Sequence, residues 1–469
     1  LAITILKTDY LIVGSGAVGM AFADTLLSDS TADMIIVDRF QKPGGHWNNA
    51  YPFVTLHQPS AFYGVSSREL SNGKLDETGL NKGLGRLASG AEVNAYFDSV
   101  MRERFLPSGR VRYFPMCDYE GEGRFRCLLS GKYFAVQGQH KTVDATYLKT
   151  TIPSTHTPSF TIADGVQFMP LNDLPKIDTP PKDFVVIGGG KTGMDACLWL
   201  LENRVDPDNI RWIMPRDGWL LDRKNAQATI EFFNETIGGQ AAQFEAIAKA
   251  ENVEDLFNRL EASGILLRLD PAVKPQMFHG ATISQAELHE LREIKNVIRM
   301  GRVTDVGTNT ITLENGEVPT TPDTVHVDCS ASAISNLETK PIFQGDLITP
   351  QTVRSYQPVF SASMIAHIEV TKETEKEKNQ LCGVVPLPNH ADDWIRMMIP
   401  FMMNQYQWSR DSEIRKWLEN NRLDGFSGMV RNIDPNDEEK KAILMRLREY
   451  SMPAMARLQQ FKAELDAAS

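Results

Sequence analysis

The sequence predicts an α/β protein with two Rossmann-like dinucleotide-binding units, the second inserted into the first, and a helical C-terminal region. Three observations carry that expectation. "DYLIVGSGAVGMAFADTLL" (9–27) and "DFVVIGGGKTGMDACLWL" (183–200) each read as buried strand, glycine turn and helix. The proline-rich "NDLPKIDTPPKDF" (172–184) stands directly before the second copy, as a domain connection would. The C-terminal stretch, including "DSEIRKWLENNRL", has amphipathic helical spacing. At 469 residues, 42% hydrophobic and 23% charged, the chain is long enough for two or three domains. The expected division is 1–180 and 326–469 for the first unit and 181–325 for the second.

The elements follow in order. Strand Tyr10–Val13, a helix from about Ala17 to Leu27 and the strand "MIIVD" ending at Asp38 make a βαβ unit. Residues 46–90 lack periodicity and are rich in Gly, Ser, Asn and Pro; such long loops tend to carry function. A helix around Ala91–Phe105 comes next, then "RFRCLLS" and "YFAVQ" as antiparallel strands. In the second unit "IRWIM" (210–214) is a strand and residues 225–263 are helical. "ISQAELHELREI" (283–294) is a helix capped by Ser284 with Glu287 at the third position. "TITLENGEV" (310–318) has the Asn-Gly signature of a hairpin, and "TVHVDCSASAI" (324–334) reads as a buried strand.

Composition excludes several classes. The net charge of −11 is dispersed, which argues against a nucleic-acid or anionic-membrane partner. No apolar run approaches the length of a bilayer span, and no charged-then-apolar leader precedes "YLIVG". Cys117, Cys127, Cys197, Cys329 and Cys382 show no CxxC or CxxxxC spacing, which reads as reduced, buried thiols in a cytoplasmic protein. Nothing adjacent to Cys117 in sequence lowers its thiol pKa, which argues against a redox role for it. The histidines fit no metal pattern, so no metal is expected.

The glycine turns carry the chemistry. In "GSGAVG", Gly14 turns the chain out of the strand, Gly16 lets a pyrophosphate approach the backbone, and Gly19 lets the helix pack on the strand. Ser15 and Ala17 complete that turn. Asp38, followed by Arg39, closes the next strand, where a carboxylate accepts from ribose hydroxyls; this favours a free 2′-hydroxyl. The second turn, Gly188, Gly190 and Gly193 with Lys191 and Thr192, has Asp195 in the first turn of its helix. Its next strand ends in Pro215 and Arg216 instead of an acid, with Arg223 and Lys224 a short loop further on. Arg216 is either a partner for a 2′-phosphate or an exposed surface arginine. Two different ribose ends point to FAD in the first turn and NADPH in the second.

"GGGKTGMDA" is similar to the GxGxSGxD segment of the flavin-containing monooxygenase and Baeyer–Villiger superfamily, with Thr192 in place of serine. "GGHW" (44–47) looks like that superfamily's GGxW motif. The resemblance covers residues 8–220 and, loosely, "VDCSASAI". It implies that the Gly45, His46 and Trp47 loop packs against the flavin, with Trp47 either stacked on the cofactor or part of the core, and that Met116 and Cys117 offer backbone contacts to adenine. It implies NADPH-dependent oxygenation of a small organic molecule by dioxygen, through a flavin hydroperoxide. Within "YPFVTLHQPSAFYGVSS" (51–67), Gln58 would hydrogen-bond the peroxide and His57 relay a proton; the other reading of His57 is a loop histidine bonded to backbone. Two departures stand out. "DATY" places Tyr147 where ATG is usual, and no FxGxxxHxxxY/F fingerprint is recognisable in "THTPSFTIADGVQFMPLND". The alternatives are a flavin oxidoreductase that releases peroxide and a non-catalytic dinucleotide-binding protein. A homodimer is left open.

Overall fold

The computed structural model describes residues 3–332 and 337–468. Short runs of branched and aromatic residues form the strands of the first sheet. Tyr10–Val13 and Met34–Val37 pair in parallel from Tyr10↔Met34 to Val13↔Val37. The helix Ala17–Asp29 crosses between them. Val111–Phe114 extends the sheet on one side, and Lys141–Asp144 with Leu347–Ile348 on the other. Phe343–Gln344 closes that edge as an antiparallel hairpin strand. Strands from both halves of the chain therefore share one sheet. The helix Pro358–Thr371 packs on Ala17–Asp29 and, with Phe22, Phe97 and Phe360, fills the core.

The second sheet lies between these strands in sequence. Its order is Gln167–Pro170, Thr324–Asp328, Asp183–Ile187, Ile210–Ile213 and Val297–Ile298, all parallel. Gln167–Pro170 joins it from ahead of the proline-rich stretch. Gly218–Asp222, Leu266–Leu267 and Met277–Ile283 form a further small sheet. It packs with Phe233–Lys249, Asp393–Arg410 and the long helix Glu438–Ala468 around Trp219, Phe257, Trp394 and Phe461.

Local signals resolve as follows. Residues 46–90 form no long element; they carry two short 3₁₀ turns, Gly45–Asn49 and Ser60–Phe62, and isolated bridges such as Thr55↔Ser89 and Leu75↔Gly85. The helix expected at Ala91–Phe105 runs Gly90–Val100 behind a capping box of Ser89 and Glu92, then closes on a π turn, Met101–Phe105. Ser284 and Glu287 form the expected capping box. Residues 225–263 divide into Phe233–Lys249 and Val253–Ala262, because Asn252 caps a new helix by accepting from the Asp255 amide. The "ENG" hairpin pairs Leu313 with Gly316, so its turn residues are Glu314 and Asn315 and not the Asn-Gly dipeptide. Thr324–Asp328 is the strand expected in "TVHVDCSASAI"; Ala333 and Ile334 lie outside the described residues. Among the described residues no helix is long and apolar enough to cross a membrane.

Candidate functional site

Both glycine turns open onto one cavity of 1560 Å³. That exceeds the roughly 300–1,000 Å³ of an ordinary small-ligand site. On the first turn Gly14, Gly16 and Ala17 line it. Gly14 has φ +101°, and a Cβ on Gly19 would sit 2.0 Å from the Gly14 carbonyl oxygen, so neither position takes a side chain. Gly16 caps the helix Ala17–Asp29 without a side-chain bond, which leaves the first amides facing the cavity.

Ser15 is not on the wall. It is fully buried, and its amide and hydroxyl both donate to Asp38 Oδ2, at 2.5 and 2.8 Å. The Phe40 amide donates to Asp38 Oδ1 at 2.7 Å. Asp38 lines the cavity with three of its roughly four acceptor positions occupied. Arg39 lines the rim of the cavity, largely exposed, and pairs with Asp118 at 3.3 Å. The Cys117 amide is taken by the Asp38 carbonyl at 2.9 Å, so only the rest of that residue faces the cavity.

The "GGHW" segment lies against this turn. The Gly44 amide donates to the Ser15 carbonyl at 2.9 Å, and a Cβ on Gly45 (φ +56°) would approach Gly16 Cα to 2.9 Å. Trp47 donates from Nε1 to Tyr63 Oη at 2.8 Å and lines the cavity with Gly45 and His46. Burial lowers the His46 imidazole to about 4. His57 and Gln58 reach the same cavity. Burial, aided by Lys191 and Arg223, holds His57 well below its usual value, so the imidazole is neutral at physiological pH.

Gly188 (φ +132°) and Gly193 repeat the first geometry: a Cβ on either would meet a carbonyl oxygen, of Cys329 at 2.2 Å or of Gly188 at 2.0 Å. A Cβ on Gly190 would meet nothing within 4 Å. Lys191 and Thr192 line the cavity. Lys191 pairs with Asp195, which also accepts from the Tyr51 hydroxyl at 2.6 Å. Arg216 lies on the cavity wall, half-buried, and donates to Asn389 Oδ1 at 2.9 Å. His279 Nε2 contacts the same oxygen at 2.9 Å, and Arg302 lines the cavity with them. Burial, and then Arg302, lowers the Arg216 pKa.

Several contributors escaped the sequence reading. Arg302, His279 and Asn389 come from separate segments and share no motif with Arg216. Arg223 is a fully buried strut, not a loop cation. It donates to the His57 carbonyl at 2.7 Å and to Asn81 Oδ1 at 3.2 Å, and it pairs with Glu287 at 2.9 Å. One signal was present and unread: "VDAT" (143–146) echoes "VDCS" (327–330). Each strand ends in an aspartate that accepts from the residue two further on, Asp144 from Thr146 and Asp328 from Ser330. Each of these ends abuts its own glycine turn. Tyr147, at the departure from ATG, donates to the Glu338 carbonyl at 2.6 Å, with Lys340 over its ring at 4.4 Å.

No protein-family model matches the chain. Uncharacterized proteins of Mycobacterium tuberculosis and Mycobacterium bovis are 47% identical to it over 425 residues, 91% of this chain and 79% of theirs. Among solved structures, ε-caprolactone-bound cyclohexanone monooxygenase matches with a TM-score of 0.51 at 14% identity, over 81% of this chain and 92% of that one. A flavin-containing monooxygenase from Stenotrophomonas maltophilia matches with a TM-score of 0.43 at 14% identity, over 81% of this chain and 100% of that one.

Proposed function

We propose that this chain, which belongs to one family with the mycobacterial proteins and has the two-dinucleotide-domain fold of cyclohexanone monooxygenase, is an FAD- and NADPH-dependent monooxygenase of a small organic molecule. The reading assigns 1–180 and 326–469 to FAD and 181–325 to NADPH, except that the strands Gln167–Pro170 and Thr324–Asp328 pair into the second sheet. One observation carries it: two glycine turns with uncapped helix starts open onto a single cavity.

The residues present fit both cofactors. The amides at Gly16 and Ala17 face a place where a pyrophosphate fits, and Gly190 leaves open space at the second turn. Asp38 keeps acceptor capacity for a ribose hydroxyl. Arg216 with Arg302 makes a cationic patch suited to a 2′-phosphate. When bound, the two cofactors supply electrons and the activation of dioxygen. Gln58 brings an amide to the cavity, and the neutral His57 serves as a hydrogen-bonding group, not a standing positive charge. Trp219, Leu220, Met277 and Met397 give the wall an apolar face that excludes water.

The test is purification with flavin, followed by NADPH and dioxygen consumption against amines, ketones and aromatics. Oxygenation predicts that one class of substrate lowers peroxide release per NADPH and yields an oxygenated product. Peroxide equal to NADPH with every substrate replaces the reading with an oxidase. Failure to bind flavin replaces it with a non-catalytic binding protein.

A further inference from the structure

Cys117 and Cys127 are direct partners across the antiparallel strands Cys117–Gly121 and Arg124–Cys127. The Cys117 amide goes to the Asp38 carbonyl and the Cys127 amide to the Lys132 carbonyl, both at 2.9 Å. Neither bonds the facing residue, so this is a non-hydrogen-bonded pair, in which Cα atoms lie about 4.5 Å apart and side chains are closest. Disulfides span Cα separations of about 4.4–6.8 Å. Each thiol is close enough to perturb the titration of the other.

Their surroundings differ. Cys117 is buried and lines the cavity beside Asp38; burial raises its thiol to about 11. Cys127 is half-buried at the start of the turn "CLLSG", where the Ser130 amide donates to its sulfur at 3.4 Å. The Ser130 hydroxyl and the amides of Ser130 and Leu129 lower it to about 7. A stabilised, accessible thiolate beside a second thiol is the arrangement that reacts with hydroperoxides and resolves as a disulfide. Cys197, Cys329 and Cys382 are buried with raised thiol pKa values and serve as internal controls.

We propose that Cys127 and Cys117 form a peroxide-reactive dithiol, with Cys127 attacking and Cys117 resolving. The Cys127 thiolate attacks one oxygen of hydrogen peroxide; the O–O bond breaks, hydroxide leaves, and a sulfenic acid remains. The Cys117 sulfur then displaces that hydroxyl. The S–S bond forms, and water departs with the Cys117 proton. Peroxide is the oxidant and takes two electrons from the pair. The inference does not depend on the oxygenase reading, because peroxide is supplied directly in the test.

Reduced full-length protein, freed of reductant, is treated with hydrogen peroxide and read by intact mass and peptide mapping. The expected result is a loss of about 2 Da and one cross-linked peptide joining Cys117 to Cys127. The rate should rise with pH through about 7. C117S should stop at a sulfenic acid on Cys127, captured by dimedone, and C127S should resist oxidation. An unchanged wild-type mass, a cross-link between other cysteines, or C127S oxidising as fast as wild type overturns the proposal. Should a variant not fold, dimedone added to wild type in the first seconds decides it: an adduct on Cys127 supports the order of attack, and one on Cys117 overturns it.

Discussion

Tyr51 donates a 2.6 Å hydrogen bond to Asp195, joining the loop behind the first glycine turn to the helix that begins at the second. Phe53 stacks on Trp199 at 4.8 Å beside it, so the loop is held by packing as well. Arg223 adds a second tie, through the His57 carbonyl. The loop between the two turns is thereby a structural bridge between them.

Tyr51→Phe removes the hydroxyl and keeps the ring. Losing a hydrogen bond to a charged group costs about 1.5–3 kcal/mol of stability. Urea unfolding should show that loss, and flavin reduction by NADPH should slow while flavin content holds. Unchanged stability would mean that Lys191 alone satisfies Asp195.

The glycines separate fold from binding. Gly190→Ala meets open space, so stability should change by less than about 0.5 kcal/mol, while NADPH affinity falls about tenfold or more, roughly 1.4 kcal/mol. Gly193→Ala drives a Cβ into the Gly188 carbonyl and should cost about 3 kcal/mol or prevent folding. At the first turn, Gly16→Val should leave the protein colourless. Full flavin in that variant would remove the first turn from the FAD site.

Arg216→Ala should raise the KM for NADPH about tenfold to a hundredfold, the loss of a charge-assisted bond worth about 1.5–3 kcal/mol, with little change for NADH. Steady-state kinetics with both cofactors reads it. Equal weakening of both would make Arg216 a support for Asn389 and not a phosphate ligand.

Gln58→Ala should leave flavin reduction by NADPH nearly intact and raise peroxide release at the expense of product. His57→Ala should do the same without shifting the pH profile near 6.5, because the native imidazole is already neutral there. An inflection near pH 6.5 that His57→Ala abolishes would show that His57 titrates in the working enzyme.

His46 makes stability depend on pH. Unfolded, it takes up its proton near pH 6.5; folded, burial delays this to about 4. Between those values the unfolded state binds more protons, so this contribution is present above pH 6.5 and is lost as pH falls towards 4. His46→Asn should flatten the fall in Tm across that window. A parallel curve for the variant would assign the slope to other groups.

Local codes were legible because neighbouring residues satisfy them. The glycine turns, the Ser284–Glu287 capping box and the strands at Tyr10–Val13 and Asp183–Ile187 depend on contacts within a few residues, and each stands where the sequence placed it. The likeness of "GGHW" to a known motif also pointed to a segment that the structure seats on the first turn.

What the sequence could not decide is the meeting of segments far apart in the chain. Arg216, His279, Arg302 and Asn389 converge because four separate segments of the chain meet at one cavity, and no spacing encodes that. Arg223 reads as a loop cation until Glu287 and the His57 carbonyl enclose it. Cys127 gains its character from a turn, and its partner from strand register. The sequence by itself determined the two cradles, since backbone conformation there is dictated by which residues lack a side chain. Tertiary structure alone decided that both open onto one space, because burial, charge and reach depend on what folds against each group.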